Sequence, residues 1–385
     1  MQITPRTIDE LKIEIDARAS RQSYPLNGLP LEDVRSALRN IKTTDPDEWG
    51  AAWIAVGETY LAKAREVEPA RPDEARALFR RAYELFNFGR WPVPSSEKKR
   101  TSAAMANAAF QEFARLAEPA VEYLRIPFGT QSIIAYLQKP LAIAPVPVII
   151  DIGGVDHWKE KILLESGPIL AKGIAVLAVD MPGTGDAIFP LEPGAERIYS
   201  AVIDYLLMRS DINSTKIMVR GQSWGSHWAL RTALHESARL CAGVFQSGPV
   251  HLYFQPDWFL QSLNTREYLF DFVPSRLHVF GKKSIEEAAE YLPLMSLLDN
   301  NAIDGETPAM LLIGGVNDSQ TPFGDIELLM RHGSPKEVWV NPKGGHMGRS
   351  PEISDRQIFQ NVTIPWIVAR AAHFDSAPEV VRCRT

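Results

Sequence analysis

Cysteine is nearly absent from this chain. Cys241, in an apolar strand, and Cys383, in the C-terminal tail, are the only two in 385 residues. Neither a disulfide framework nor a Cys-x-x-Cys metal site can be built from them. Long apolar runs are missing as well: none reaches the roughly 18 residues of a membrane-spanning helix. The opening Met1-Gln-Ile-Thr-Pro-Arg6 has no basic segment followed by an apolar core, so the chain reads as cytoplasmic, with no membrane partner. Nor is there an excess of positive charge. A formal net charge of −6 argues against nucleic acid or anionic lipid as partner. Gly183 and Gly185 form a Gly-x-Gly pair without its third glycine, and no Gly-Lys-[Ser/Thr] follows anywhere, so no nucleotide site is expected. No 34-residue repeat marks a helical array. What remains, 45% hydrophobic and 23% charged residues, is an ordinary globular composition, long enough for two domains or one with a sizeable insertion.

Against these absences one stretch stands out. Lys216-Ile-Met-Val-Arg-Gly-Gln-Ser-Trp-Gly-Ser226 reads as a strand running into Gly221-Gln222-Ser223-Trp224-Gly225 and then a helix. This is the Gly-x-Ser-x-Gly turn in its required setting, a sharp bend that lifts a serine above a sheet. Gly221 and Gly225 fall where side chains would strike the neighbouring strand and helix. The helix points its positive end at any negative charge developing near Ser223. Downstream, the strand Pro308–Gly315 leads into Asp318, and the strand Glu337–Val340 leads into Asn341-Pro-Lys-Gly-Gly-His346. Serine, acid and histidine thus follow in the order of α/β-hydrolases. A serine hydroxyl needs a base to become a nucleophile, imidazole supplies one near neutral pH, and a carboxylate fixes its tautomer. Asp299, Asp304 and Asp325 compete for the acid's role. The first two precede the strand and the third falls within the next helix, which leaves Asp318.

The apolar strand Val146–Ile152 ends in Gly153-Gly154-Val155-Asp156-His157. In this arrangement one oxyanion donor is the backbone N–H after the nucleophile, Trp224, and the other comes from this loop, Gly154 or Val155. The bland alternative is a plain strand-to-helix turn. Gly173–Asp180 reads as a parallel strand, apolar on both faces, and runs into Met181-Pro-Gly-Thr-Gly-Asp186. Before about residue 120 the pattern is helical. Asp45-Pro46 starts a helix with Trp49, Trp53, Val56 and Tyr60 on one face. A second begins near Pro72 with Ala75, Leu78, Phe79, Ala82, Leu85 and Phe86. A third follows Ser95-Ser96 and should bury Met105, Ala109, Phe113 and Leu116. The aromatic residues are read as packing rather than a ligand box. From Val121 the chain turns to strands, opening with a hairpin around Gly129-Thr130.

The expected fold is α/β: an α/β-hydrolase fold with a mostly parallel, doubly wound sheet and a helical N-terminal cap. Residues 1–118 form the cap domain and 119–385 the catalytic domain, with a cap insertion at about 251–301. The two caps together close over Ser223. The Trp49/Trp53 helix, the Ala77–Tyr83 helix, Arg90-Trp-Pro92, the IGGVDHWKE loop, DMPGTG and GQSWGS resemble the FrsA-like group of α/β-hydrolases. That group includes the fermentation–respiration switch esterases, dihydroxypseudooxynicotine hydrolase and fungal polyketide chain-shortening hydrolases. The resemblance implies a serine triad without metal or organic cofactor, a small-molecule carbonyl substrate, and a homodimer. It also implies cleavage of either an ester or a C–C bond next to a carbonyl, of aryl ketone or polyketide type. A regulatory, partner-binding protein on the same fold is the alternative. The nicotine-pathway member uses an acidic residue after the post-nucleophile strand. The only carboxylate in Gly248–Trp258 is Asp257, which with Trp258 becomes a candidate substrate contact, although Asp257 also reads as the cap of a helix beginning at Trp258. Phe254, Phe259, Tyr268 and Phe270 add an aromatic character consistent with an aromatic substrate.

Overall fold

The computed structural model describes residues 5–142 and 145–373; Cys383 lies outside them. Five helices come first: α1 (Ile8–Ser20), α2 (Leu31–Asn40), α3 (Pro46–Val67), α4 (Pro72–Gly89) and α5 (Glu97–Arg115). Their starts follow local chemistry. Thr7 and Glu10 form a reciprocal capping box on α1, Asp45 caps α3 ahead of Pro46, and Ser96 caps α5. Helix α5 departs from expectation in detail. Ala106, Ala109 and Phe110 are its buried apolar residues, while Met105, Phe113 and Leu116 are only partly buried. Small residues bring the helices close: a Cβ at Gly89 of α4 would lie 2.3 Å from Ser102 Oγ of α5.

Eight strands form one sheet in the order β1-β2-β4-β3-β5-β6-β7-β8. The hairpin β1 (Val121–Phe128) and β2 (Gln131–Gln138) is antiparallel, and β2 pairs antiparallel with β4 (Ala175–Val179). The remaining pairs, among β3 (Val146–Ile152), β4, β5 (Ile212–Gln222), β6 (Ala242–Gln246), β7 (Ala309–Gly315) and β8 (Glu337–Asn341), are parallel. Helices α6 (Lys159–Glu165), α7 (Gly167–Leu170), α8 (Arg197–Leu207) and α9 (Trp224–His235) cross between the strands. The central strands are buried on both faces, which accounts for their unbroken apolar runs. Between β6 and β7 the alternation breaks into α10 (Pro256–Ser262), α11 (Phe272–Phe280) and α12 (Ile285–Tyr291). Helices α13 (Phe323–Arg331), α14 (Asp355–Ile358) and α15 (Ile364–His373) complete the chain. No helix among the described residues is long and apolar enough to cross a membrane. This is the α/β-hydrolase fold with an N-terminal helical region.

The N-terminal helices do not merely rest on the sheet. Ala82, Tyr83, Phe86, Ala106, Ala109 and Phe110 share one buried cluster with Tyr136, Ile149, Val176 and Met218. A second cluster joins Trp49, Trp53 and Phe88 to Tyr268 and Leu269 of the inserted segment. Arg6 donates to the carbonyls of Tyr268 and Leu269, Arg18 to that of Glu267, and buried Lys99 pairs with Asp271 at 2.5 Å. The first helices and residues 266–271 are thereby fastened together over the carboxyl ends of the strands, where ligands bind in open α/β sheets.

The glycine-bearing Met181–Asp186 loop wraps around a carboxylate. Its concavity is filled by Asp180, whose carboxylate accepts from the N–H groups of Lys159 (2.9 Å) and Asp186 (3.0 Å) and from Lys159 Nζ (2.8 Å). Gly185, at φ +51°, has no room for a Cβ beside that carboxylate. Burial alone would lower the Lys159 pKa, but Asp180, Glu160 and Asp186 around it raise the pKa well above the ordinary value.

Candidate active site

Ser223 sits between β5 and α9 with φ 51° and ψ −126°, a conformation that costs about 1–3 kcal/mol and persists where the surroundings over-determine it. Here the surroundings are backbone. A Cβ at Gly221 would lie 2.3 Å from Gly225 O, and one at Gly225 would lie 2.2 Å from Ile152 O. Ser223 N–H donates to Gln246 O at 2.9 Å, and Ser226 locks the same residue with two further bonds of 2.9 Å. The turn is held between β3 and β6 and cannot relax.

His346 follows β8 in a loop fastened at several points. Asn341 Nδ2 donates to Gly348 O (2.9 Å) and Gln246 Nε2 to Met347 O (3.0 Å). His346 Nε2 stands 2.9 Å from Ser223 Oγ, and His346 Nδ1 stands 2.8 Å from Asp318 Oδ2. The other oxygen of Asp318 accepts from the N–H groups of Gln320 (2.8 Å) and Thr321 (3.0 Å), and Thr321 Oγ1 donates to Oδ2 at 2.8 Å. Burial alone would raise this carboxyl. The facing imidazole and these donors outweigh it and hold Asp318 below the usual carboxylate range. An anionic Asp318 keeps the proton on Nδ1, which leaves Nε2 free to accept from Ser223.

Trp224 is the first residue of α9, so its N–H has no intrahelical acceptor. Gly154 passes against the serine: a Cβ there would lie 3.1 Å from Ser223 Cβ. Gly154 lines the cavity above Ser223, whereas Val155 is buried in the sheet core and its carbonyl accepts from Trp158 Nε1. That cavity has about 970 Å³ of empty volume, counted to its open mouth. Its walls come from the N-terminal helical region (Tyr24, Asn87, Phe88, Trp91), the loop after β3 (Gly154, Asp156) and the inserted segment (Tyr268). Among the described residues no group of three His, Cys, Asp or Glu is arranged to hold a metal ion.

Residues 41–333 match the protein family described as Esterase FrsA-like. The chain belongs to this family. Esterase FrsA of Vibrio vulnificus (strain YJ016) is 27% identical over 291 residues, covering 73% of this chain and 68% of that protein. Alpha/beta hydrolase ucsC of Acremonium sp is 26% identical over 275 residues, 62% of this chain and 55% of its own. Hydrolase ORFZ of Pyricularia oryzae is 30% identical over 242 residues, covering 56% and 57%. The chain therefore spans little more than half the length of these fungal relatives. The crystal structure of 2,6-dihydroxy-pseudo-oxynicotine hydrolase shares the fold, with a TM-score of 0.76 at 20% identity over 94% of this chain and 96% of that one.

Two sequence expectations fail in this FrsA-like chain. Asp257 lies in the first turn of α10, exposed and away from the cavity. Pro256 starts that helix two residues earlier than expected, so Asp257 is not its cap either; Gln255 occupies that position without a side-chain bond. Trp258 does not line the cavity. It is half-buried, and its Nε1 donates to the carbonyl of Gln320 at 3.1 Å. Phe254 and Phe259 belong to the sheet core, and Phe270 packs on Trp49 with ring centroids 4.4 Å apart. Of the inserted aromatics considered, Tyr268 reaches the cavity.

The competing acid Asp325 has a different task. Fully buried, it accepts from four consecutive backbone N–H groups, Val250, His251, Leu252 and Tyr253, at 2.7–3.3 Å. Burial raises its pKa against those donors. Tyr253 in turn accepts from Trp224 Nε1 at 3.2 Å, behind the Ser223 turn. Sequence reasoning missed Gln320 and Tyr24, and noted Trp91 only within the Arg90-Trp-Pro92 segment. Gln320 lies two residues beyond Asp318 and could have been suspected from that spacing; nothing local marks Tyr24.

Proposed function

We propose that this protein is a serine hydrolase in which Ser223 is the nucleophile, His346 the general base and acid, and Asp318 the group that orients the imidazole. The observation that carries this reading is the chain of contacts at 2.9 and 2.8 Å from Ser223 Oγ through His346 to Asp318, at the floor of a cavity. Ser223 attacks a substrate carbonyl while Nε2 takes its proton. The Trp224 N–H, with an amide of the Gly154–Val155 segment, receives the negative oxygen. His346 then protonates the departing group, and water releases the acyl portion from Ser223 by the reverse sequence.

The same apparatus serves an ester or a C–C bond next to a carbonyl, because only the leaving atom differs. The names of the relatives, an esterase and a hydrolase of a pseudo-oxynicotine, support a small or medium carbonyl substrate. The walls of Trp91, Phe88 and Tyr268 suit a substrate with an aromatic portion. Residues 1–118 act in this reading as a cap completed by the insertion at 251–301, and the homodimer implied by the family resemblance is part of the same proposal.

The test is turnover of p-nitrophenyl esters and aryl β-diketones by the wild type and Ser223→Ala. Removal of the nucleophile is expected to lower the rate by at least about 100-fold with the fold intact. Normal turnover in the variant refutes the triad. Silence of the wild type on both panels favours a partner-binding role.

A further inference from the structure

We propose that Gln320, oriented by the buried Arg276, is a specificity-determining donor to a second oxygen on the leaving portion of the substrate. The proposal rests on the serine-hydrolase reading of the same cavity.

Arg276 lies in α11 and is 3% exposed. Its Nη2 donates to Gln320 Oε1 at 2.9 Å, and its guanidinium sits over the rings of Phe272 (4.8 Å) and Tyr268 (5.5 Å). Nε and Nη1 are buried without an acceptor, and no carboxylate pairs with it among the described residues. An arginine is charged at any accessible pH, and Asp156, the carboxylate that acts on Arg276 through space, makes no direct bond to it. The direct hydrogen bond of Arg276 goes to Gln320.

Gln320 is 2% exposed and lines the Ser223 cavity. It is held at three points: its N–H by Asp318 Oδ1 (2.8 Å), its carbonyl by Trp258 Nε1 (3.1 Å) and its Oε1 by Arg276. A guanidinium only donates, so Oε1 must face Arg276 and Nε2 must turn the other way. Nε2 has no protein acceptor among the described residues. The wall there offers an N–H donor sharpened by a buried positive charge.

The position fits the leaving side. His346 delivers its proton to the departing group, and Gln320 is bonded to the same carboxylate that holds His346. A substrate with a carbonyl β to the one attacked uses both. The Ser223 Oγ–carbon bond forms, the C–C bond breaks, and its electron pair moves onto the leaving carbon as an enolate with its charge on the second oxygen. Gln320 Nε2–H faces that oxygen, and His346 gives the proton taken from Ser223 to the carbon. Water then cleaves the acyl-serine. A simple alkyl ester leaves as an alkoxide protonated directly by His346 and has no second oxygen to present.

Two arms test this in the full chain. Gln320→Leu is expected to lower kcat for benzoylacetone about 10- to 100-fold more than for p-nitrophenyl butyrate, on the scale of losing one donor to a developing oxyanion. Arg276→Lys, which keeps charge but loses the fork, should fall between wild type and Gln320→Leu. Equal losses on both substrates, or a wild type that splits the ester and leaves benzoylacetone intact, overturn the proposal. The second arm needs no turnover. Benzoylacetone bound to Ser223→Ala should ionise to its enolate at lower pH than in water, read by its ultraviolet absorbance, and Gln320→Leu in that background should abolish the shift. No binding, or no shift, overturns the proposal. The Ser223 reading is decided separately, by turnover of Ser223→Ala against wild type.

Discussion

Asp318 and Asp325, seven residues apart and both buried, should respond in opposite ways to the same isosteric change. In Asp318→Asn, one oxygen can still accept from the N–H groups of Gln320 and Thr321. The other position becomes an amide NH₂, a donor that cannot accept from His346 Nδ1–H. The imidazole then takes the wrong tautomer, a change that costs about 10⁴-fold in kcat in serine triads, while the stability loss is confined to the carboxylate's charge contribution because its backbone donors stay satisfied. Asp325→Asn behaves differently. Oδ1 accepts from His251 and Leu252, and Oδ2 from Val250 and Tyr253. Whichever way the amide is turned, an NH₂ faces two backbone donors. Two buried N–H groups left unsatisfied cost about 1–3 kcal/mol each, so about 2–6 kcal/mol of stability is lost. Chemical denaturation gives the stability of each variant, and kcat on an ester that the wild type turns over gives the chemistry. An Asp325→Asn protein within about 0.5 kcal/mol of wild type, or an Asp318→Asn protein keeping more than about a tenth of wild-type kcat, refutes the division of labour.

Gly225→Ala places a methyl 2.2 Å from Ile152 O and 2.3 Å from Gly153 O; displacing the end of β3 should cost about 100-fold in kcat, and a variant with normal kinetics would show that the turn has slack. Asp318 has its pKa lowered on folding, so its contribution to stability is complete above the unfolded carboxylate value of about 3.9 and is lost as pH falls below it. Acid titration of unfolding should therefore be shallower for Asp318→Asn than for wild type below about pH 4, and identical slopes would remove that linkage.

The places of Ser223, Asp318 and His346 were legible because each lies within five residues of the end of a strand. Val146–Ile152 and Ala309–Gly315 are largely apolar runs, and Ile217–Val219 is the apolar stretch that leads into the Gly221–Gly225 turn. The position of Ser223, Asp318 and His346 relative to strand ends could be read without tertiary knowledge. The inserted segment was not legible in the same way. Its path is set by side chains far off in the chain, Arg6, Arg18 and Lys99, bonding to carbonyls and to Asp271, and a backbone carbonyl leaves no mark in a sequence. Asp257 was singled out as the only acid in its stretch, but a helix starting at Pro256 turns it to solvent. Trp258 was placed at the substrate and stands one residue removed, holding Gln320.

The oxyanion-side loop is gripped from the N-terminal helices, and this bears on how the first 118 residues should be tested. Asp156, two residues beyond Gly154, accepts from Tyr24 Oη at 2.5 Å and Trp91 Nε1 at 2.6 Å, both at Oδ2. Its carbonyl accepts from Arg90 Nη2 at 2.8 Å. Tyr24 also lies under the guanidinium of Arg349, 4.2 Å from its ring centroid, so one side chain touches both the oxyanion-side loop and the histidine loop. Deleting the helices would expose Tyr136, Ile149 and Val176, which share their core, and loss of activity would then report unfolding rather than catalysis. Point changes separate the two. Tyr24→Phe and Trp91→Phe each remove one donor to Asp156 and keep the apolar body of the ring. Hydrogen bonds to a charged group contribute about 1.5–3 kcal/mol, and loosening the loop by even a fraction of that should lower kcat about tenfold. Because both bonds end on one oxygen, the double variant should fall short of the product of the two single effects. Full multiplicativity would mean that the two residues act on the substrate independently and that Asp156 does not couple them.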